Sequence, residues 1–307
     1  MVRTIIFLIS CLIILPFIAF RYDTPLNAEQ NTAFLTAIYA MVGVALTCFI
    51  VSELTHNCSQ VDKLWSIVPI FYVWFFAYSA HFNTRLVLMA ILVTLWGVRL
   101  TYNFGRRGGY NIVPWRGEED YRWSVLRQKP FLNTRGGWAI FNLGFISLYQ
   151  NALILLFTLP ALVAWQGAEK PISVFDLIIV LAFLAFLVIE TIADQQQYDF
   201  QTEKYRQLTN ISSPVSGIYD KGFCTIGLWS KVRHPNYTAE QAIWFTYYFF
   251  SVAATGRWIN WSLVGGILLI LLFIGSSDFS EQISSGKYLE YKDYQKRVPR
   301  YLPFKLS

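Results

Sequence analysis

Residues 172–197 read ISVFDLIIVLAFLAFLVIETIADQQQ, and between Asp176 and Glu190 every side chain is apolar. A soluble helix keeps one polar face, whereas an all-round apolar run of about 20 residues matches the roughly 30 Å hydrocarbon core at 1.5 Å per residue. The stretch is therefore read as a transmembrane helix over 172–193. Glu190, Asp194 and Gln197 follow at i, i+4 and i+7, on one helical face where the span leaves the membrane. A carboxylate and an amide placed there suit hydrogen bonds to a ribose or an amide. They equally suit a helix end that simply enters water.

Seven more runs of this kind lie at about 4–20, 34–53, 64–80, 85–103, 138–165, 240–255 and 258–276. The 64–80 and 240–255 runs are short and aromatic, as tilted or re-entrant segments are. Across its 307 residues the chain is 55% hydrophobic, 18% aromatic and only 14% charged, with a mean hydropathy of +0.40. Soluble domains carry about 25% charge. The expected fold is all-α: a polytopic transmembrane helical bundle of seven to eight spans, forming one integral membrane domain over 1–307 with N-terminal spans in 1–54. The same composition excludes disordered, collagenous, disulfide-rich and coiled-coil classes. Ile5 to Phe20 is followed by Arg21-Tyr22-Asp23 rather than a small-residue cleavage site, and is read as a retained first span. Cys11, Cys48, Cys58 and Cys224 show no C-x-x-C spacing and are read as buried thiols.

Lys and Arg set the orientation. Segments 104–137, 194–239 and the tail from 277 hold eighteen of the 25 basic residues, and eight spans place all three on one side with both termini. That side is expected to be the cytoplasm, of either a bacterial inner membrane or the endoplasmic reticulum. The net charge of +6 follows from this insertion bias, so nucleic acid is not expected as a partner. Membrane lipids are.

The polar residues at span ends are one-sided. Glu53, Asp62, Arg99, Asn103, Glu190, Asp194, Glu240, Asp278 and Glu281 all fall at the expected cytoplasmic ends, whereas Asp23, Glu29, Glu169 and Asp176 fall at the others. Interfacial solvation accounts for any one of them. As a set they point to a polar cavity open to the cytoplasm. The densest cluster is Arg233-His234-Pro235-Asn236-Tyr237, with Glu240 and Trp244 one and two turns on. Proline holds His234 extended and suits a first helical turn, so a helix is expected to start at this point. Its open N–H groups, with a cation, an imidazole, an amide and a carboxylate, suit a phosphorylated or nucleotide-bearing ligand. In the tail, Tyr288, Tyr291 and Tyr294 recur every third residue. Such a stripe of rings suits a nucleotide or lipid headgroups alike. The polar loop Arg116 to Lys129 reads as a short interfacial helix.

Several chemistries find no motif. There is no G-x-G-x-x-G or G-x-x-x-x-G-K-[ST], and His56, His81 and His234 are scattered with no H-E-x-x-H, so no metal site is expected. A nucleophile elbow is also missing, and no internal repeat suggests an inverted-repeat transporter.

The chain resembles the steroid 5-alpha-reductase superfamily, specifically its branch of steroid oxidoreductase-like membrane proteins. The resemblance rests on Gln60-Val-Asp62-Lys-Leu-Trp65 with Pro69, Trp96-Gly-Val-Arg99-Leu-Thr-Tyr-Asn103, Glu119-Asp-Tyr-Arg-Trp123, Glu190 to Gln197, Gly227-Leu-Trp229 with Arg233 to Tyr237, and Tyr291 to Pro303. It covers about 55–305, the reductase-like region. It implies a bundle that binds NADPH from the cytosol and delivers hydride to an activated C=C bond of a steroid-like or other lipid enone arriving from the bilayer. By position, Asp194, Asn236, Tyr237 and Glu240 contact the cofactor, and Tyr291 to Arg297 close over its adenine-phosphate end. Arg233 and His234 neighbour a phosphate, and Arg99 and Asn103 join the cofactor set. Gln60 with Asp62 is the nearest counterpart of the family's carbonyl-polarising Gln-Glu pair. Trp96 stands where the family has a tyrosine, so Tyr102 or Tyr149 is the substitute phenol. Two other readings use the same residues. One is an S-adenosylmethionine-dependent membrane methyltransferase of the isoprenylcysteine carboxyl type, whose Arg-His-Pro-x-Tyr is similar. The other is a non-enzymatic transporter or assembly factor.

Overall fold

The computed structural model describes residues 15–113, 115–209 and 217–303. Among these residues the fold is entirely helical, without strands. Its helices are α1 (Leu15–Arg21), α2 (Ala28–Thr55), α3 (Gln60–Leu64), α4 (Val68–Ser79), α5 (Thr84–Gly105) and α6 (Tyr121–Leu126). A continuous stretch follows as α7 (Arg135–Phe141), a π-helical segment (Asn142–Tyr149), α8 (Gln150–Thr158) and α9 (Pro160–Trp165). The remainder are α10 (Val174–Thr209), α11 (Pro235–Thr255), α12 (Leu263–Lys287) and α13 (Tyr291–Arg297).

Among the described residues, five stretches are long and apolar enough to cross a membrane: α2, α5, Arg135–Trp165, α10 and α12. The chain is a membrane protein on this ground, and α4 is a shorter apolar helix of 12 residues. Of the expected first span, only the end in α1 falls within the described residues. The expected 172–193 span continues as helix to Thr209, because the segment after Asp194 keeps good helix formers with no Gly or Pro. α11 opens with Asn236, Glu240 and Gln241, which keep its first two turns polar. The loop read as an interfacial helix over 116–129 is helical only across α6, where Asp120 caps the Arg122 N–H at 2.8 Å.

Two compact units divide the chain. One takes Met1–Val180 and Thr246–Leu269, the other Leu181–Phe245 and Ile270–Ser307. In the first unit α4 and α5 pack closely through Val73, Phe76, Met89, Val93 and Trp96, all fully buried. Gly97 makes the approach possible, since a Cβ there would sit 2.4 Å from the Ser66 carbonyl oxygen. The π-helical segment widens the backbone spiral and aligns Phe141, Phe145 and Tyr149 in a parallel stack, with centroids 5.2 Å apart at each step. At its start Asn142 donates to Glu53 at 2.8 Å.

A second feature of this unit was not legible in the sequence. Arg85 and Asp176, at the starts of α5 and α10, form a bidentate pair at 2.7 and 3.1 Å with 2% and 0% exposure. Arg85 also donates to the carbonyls of Lys170 and Pro171, and Ser173 donates to Asp176. Asp23 and Arg257 form a second pair in the same unit, and Arg257 also holds Gln166. Asp176, expected at an outer span end, is buried there because the guanidinium satisfies it.

In the second unit the centre is Glu281 on α12, 3% exposed. Its carboxylate accepts from Arg233 Nε at 2.8 Å, His234 Nε2 at 2.9 Å, Gln295 Nε2 at 2.8 Å and Arg300 Nη2 at 3.3 Å. Arg233 spends its remaining arm on the carbonyls of Gln295 and Val298, and the backbone N–H groups of Arg233 and His234 donate to Pro299 and Arg300. The C-terminal segment is thereby tied to the start of α11. Tyr291 and Tyr294 close the same segment onto Phe223, with centroids 4.9 and 5.3 Å away.

Breaking either buried cluster from the acidic side strands cations, at a cost of roughly 3–5 kcal/mol. Asp176→Ala should lower the thermal unfolding midpoint in detergent accordingly, and the double replacement Arg85→Met with Asp176→Leu should recover most of the loss. Glu281→Gln should cost a similar amount and expose residues 291–303 to limited proteolysis, which the Asp176 variant should not do.

Candidate functional site

The buried polar stripe on α10 is where the second unit concentrates its chemistry. Glu190 and Asp194 are 4% and 7% exposed, and Gln197 is half-buried with its Oε1 enclosed and lacking a hydrogen-bond partner. Burying an acceptor without a donor costs roughly 1–3 kcal/mol, so such a group marks a position a ligand donor would satisfy. Across from the stripe stands the first turn of α11. It begins at Pro235, directly after His234, as the proline predicted. Asn236 Nδ2 donates to Asp194 Oδ1 at 3.1 Å, and Asn236 Oδ1 accepts from the Tyr237 N–H at 3.0 Å. Glu240, one turn on, is 4% exposed and accepts from Trp244 Nε1 at 3.1 Å. The residues between the two helices are braced from α10 as well. Gln196 accepts from the Leu228 N–H at 2.9 Å, and Trp229 donates to the Ala193 carbonyl at 3.0 Å.

The structure therefore brings together Asp194, Asn236, Tyr237 and Glu240 of the expected cofactor set. Arg233 and His234 are close in sequence but are engaged otherwise, by Glu281 and the tail. His234 also stacks on Tyr237 at 5.4 Å, and Tyr237 packs on Phe273 at 4.7 Å. Tyr291 is buried at 6% against Phe223, while Arg297 is exposed and donates to the Asp293 carbonyl. The three tyrosines read as a ligand-facing stripe are partly spent on packing: Tyr291 and Tyr294 turn inward because Phe223 supplies an aromatic partner.

The remaining predicted residues belong to the first unit. Gln60 and Asp62 sit on α3, a single turn held by a loop of the same unit. Gln60 Nε2 donates to the carbonyls of Asn57 and Trp115, both at 3.1 Å, and its Oε1 accepts from Lys63 at 3.3 Å. Its amide is thus committed to the loop. The Glu119-Asp-Tyr-Arg-Trp123 motif is the clamp on the other side. Glu119 accepts from the Cys58 N–H at 2.7 Å and forms a bidentate pair with Arg127, whose guanidinium lies 4.5 Å over Trp138. Ser59 Oγ accepts from the Asp120 N–H at 3.0 Å and Trp123 Nε1 at 3.2 Å. Asp62 has one enclosed oxygen, Oδ2, without a hydrogen-bond partner. Burial, reinforced by the nearby Asp120 charge, raises its pKa from 3.8 to about 6, against the opposing pull of Ser59, Arg122 and Trp123.

At the end of α5, Asn103 is 6% exposed and accepts from both Arg106 Nε and Nη2, at 3.0 and 2.7 Å. Arg99 is half-buried one turn earlier. Tyr102 points outward, 68% exposed with Arg106 5.6 Å over its ring. Trp96 is fully buried, and Tyr149 is 6% exposed within the π-segment stack. Cys48, Cys58 and Cys224 are buried free thiols, as expected; Cys11 lies outside the described residues. A separate open groove of about 510 Å³ in the first unit is lined by α2, α4 and Trp165, and none of the predicted residues lines it.

Sequence reasoning missed the role of Glu281 and the burial of Lys204. Glu281 reaches partners 47 and 48 positions away, which no periodicity reveals. Lys204 was legible in principle, because the spacing of Glu190, Asp194 and Gln197 continues through 201 to 204.

Comparison with known proteins agrees with the extent of this architecture. The chain is 37% identical over 263 residues to a protein of Schizosaccharomyces pombe named "Uncharacterized protein C594.04c", covering 82% of this chain and 74% of that protein. No solved structure matches the chain. A family model described as "Protein of unknown function (DUF1295)" matches residues 48–298, and the chain belongs to that family.

Proposed function

We propose that the protein is an NADPH-dependent membrane reductase acting on the activated C=C bond of a lipid-like enone, in the manner of the steroid 5-alpha-reductase superfamily it resembles, with the cofactor taken from the cytosol. The observation that carries this reading is the part-buried pairing of Asp194 with Asn236, on the helical face that also carries the unfilled acceptor of Gln197. These groups fit a dinucleotide: a carboxylate and an amide oxygen accept from ribose hydroxyls or a carboxamide, and an amide N–H donates back. When bound, NADPH supplies hydride. Asp194, Asn236 and Glu240 would orient it.

Reduction of an enone also needs a proton at the carbon that carries the developing charge, and a donor near the carbonyl oxygen. The resemblance assigns that proton to the Gln60–Asp62 turn, and the raised pKa of Asp62 keeps its carboxyl neutral up to about pH 6. Gln60, with its amide committed to Asn57 and Trp115, fixes the loop that carries Asp62. The exposure of Tyr102 disfavours it as the phenol.

Titrating NADPH, NADH and S-adenosylmethionine against thermal stability of the detergent-purified protein tests the cofactor assignment, since a ligand that binds only the folded state raises the midpoint by mass action. NADPH should stabilise the wild type, and Asn236→Ala and Asp194→Ala should each lose at least tenfold in affinity. Stabilisation by S-adenosylmethionine alone would move the same residues to a methyltransferase. No stabilisation by any of the three, in folded protein, would favour a non-enzymatic role.

The proton assignment has its own pH signature. Turnover should fall as pH rises through about 6, as the acid form of Asp62 is lost, and Asp62→Asn should be slow and flat across that window. Stability provides the sign check. Because the folded state holds the proton more tightly than the unfolded chain, wild-type stability should drop between about pH 4 and pH 6 and stay lower above it, whereas Asp62→Asn should show no such drop.

A further inference from the structure

Lys204 is 6% exposed, and its Nζ makes a single hydrogen bond, to the Gly222 carbonyl at 3.1 Å. Among the described residues no carboxylate lies within ion-pairing distance of it. Glu203, its neighbour in sequence, is taken by Arg206 and Gln207, and Glu290 pairs with Lys221 at 3.3 Å. Burying an ammonium without an anion is costly. The aromatic faces of Tyr205 and Tyr288, 4.9 and 6.0 Å from Nζ, offset part of that cost.

The surroundings add a second cation rather than an anion. Lys287, the last residue of α12, places its Nζ 5.4 Å over the same Tyr288 ring. Gly222 lies against that ring. A Cβ at this position would come within 2.4 Å of Tyr288, and φ is +78°, so only glycine brings its carbonyl under Lys204. Two ammonium groups therefore share one ring within a single compact unit, 6.0 and 5.4 Å from its centroid. Lys204 also closes the stripe that runs through Glu190, Asp194 and Gln197. Fourteen residues of α10 separate it from Glu190, about 21 Å at 1.5 Å per residue, along nearly the same face.

We infer that Lys204 and Lys287, set around Tyr288 and backed by Gly222, form a subsite for a phosphate monoester dianion. Resting on the reductase reading, its natural occupant is the 2′-phosphate that distinguishes NADPH from NADH, with Asp194 and Asn236 holding the opposite end of the same ligand. A dianion there neutralises both lysines at once, and ammonium groups bind phosphate as point charges without needing a fixed fork.

The test uses the full-length protein in detergent, read by calorimetric titration with adenosine 2′,5′-bisphosphate, AMP and a short-chain phosphatidic acid as separate probes, alongside NADPH and NADH. The bisphosphate should bind at least tenfold more tightly than AMP, and Lys204→Met or Lys287→Met should remove that advantage. Both variants should lower NADPH affinity at least tenfold while leaving NADH within about twofold, and Lys204→Arg should restore most of it. Lys287 is exposed, with its Nζ over Tyr288, so its variant reports on the ligand even where Lys204→Met disturbs folding. Lysine-dependent binding of phosphatidic acid without binding of the bisphosphate would keep the phosphate subsite, assign it to a lipid headgroup and overturn the nucleotide assignment. Binding of no phosphate probe, or binding that both lysine variants leave unchanged, would overturn the subsite. Loss of NADPH binding in the Asn236 and Asp194 variants would still support the reductase in that case.

Discussion

Glu281 is the carboxylate on which the second unit depends. It is almost fully buried, yet it gathers two guanidinium groups, an imidazole and an amide, so the energetic debt of removing it from water is met by four donors. Every one of those donors lies either at the start of α11 or in the C-terminal segment. One acidic residue on α12 therefore fixes where α11 begins and where the tail runs. The position of Asn236, two residues beyond His234, is inherited from that anchor, and so is its hydrogen bond to Asp194.

The loop clamp in the first unit follows the same logic. Glu119 ties the Cys58 backbone to Arg127, and Ser59 ties Asp120 to Trp123. The Glu-Asp-Tyr-Arg-Trp run, which in the sequence carried part of the family resemblance, acts here as a brace for the turn bearing Gln60 and Asp62. With Ser59 and Trp123 in place, Asp62 stays enclosed, and its raised pKa is a consequence of that enclosure. A polar motif can thus be read from sequence as important without its role being readable, since bracing and ligand binding draw on the same residue types.

The helices themselves were legible because length and hydropathy act locally. The runs at 34–53, 85–103 and 138–165 reappear within α2, α5 and the Arg135–Trp165 stretch with small shifts at their ends. The facing of Glu190, Asp194 and Gln197 was legible for the same reason, as helical geometry fixes which positions share a side. Pairings between distant segments were not. Arg85 and Asp176 stand 91 positions apart, and from sequence each was an ordinary charge at a span end. The tyrosines of the tail gave a correct period and an incomplete meaning, because nothing local announces that Phe223 will fill the space beneath them.

Comparing how the cations are used separates bracing from binding in this protein. Arg85, Arg127, Arg233 and Arg300 each meet a carboxylate at 3.3 Å or less, and three of them bind it through two nitrogens. Guanidinium groups suit this work, since their planar fork matches a carboxylate and their charge is never lost. Lysine makes a poorer brace and a better exchangeable partner, as its compact ammonium forms less directional contacts. Lys204 departs from the braced pattern: it is buried, as Arg85 is, but it faces a carbonyl and two aromatic rings, one of them shared with a second lysine. Selection for stability alone favours an arginine with a carboxylate at such a depth, or an apolar residue. A buried lysine kept without a carboxylate, at the outer end of the stripe that begins at Glu190, is accounted for by an anion that comes and goes.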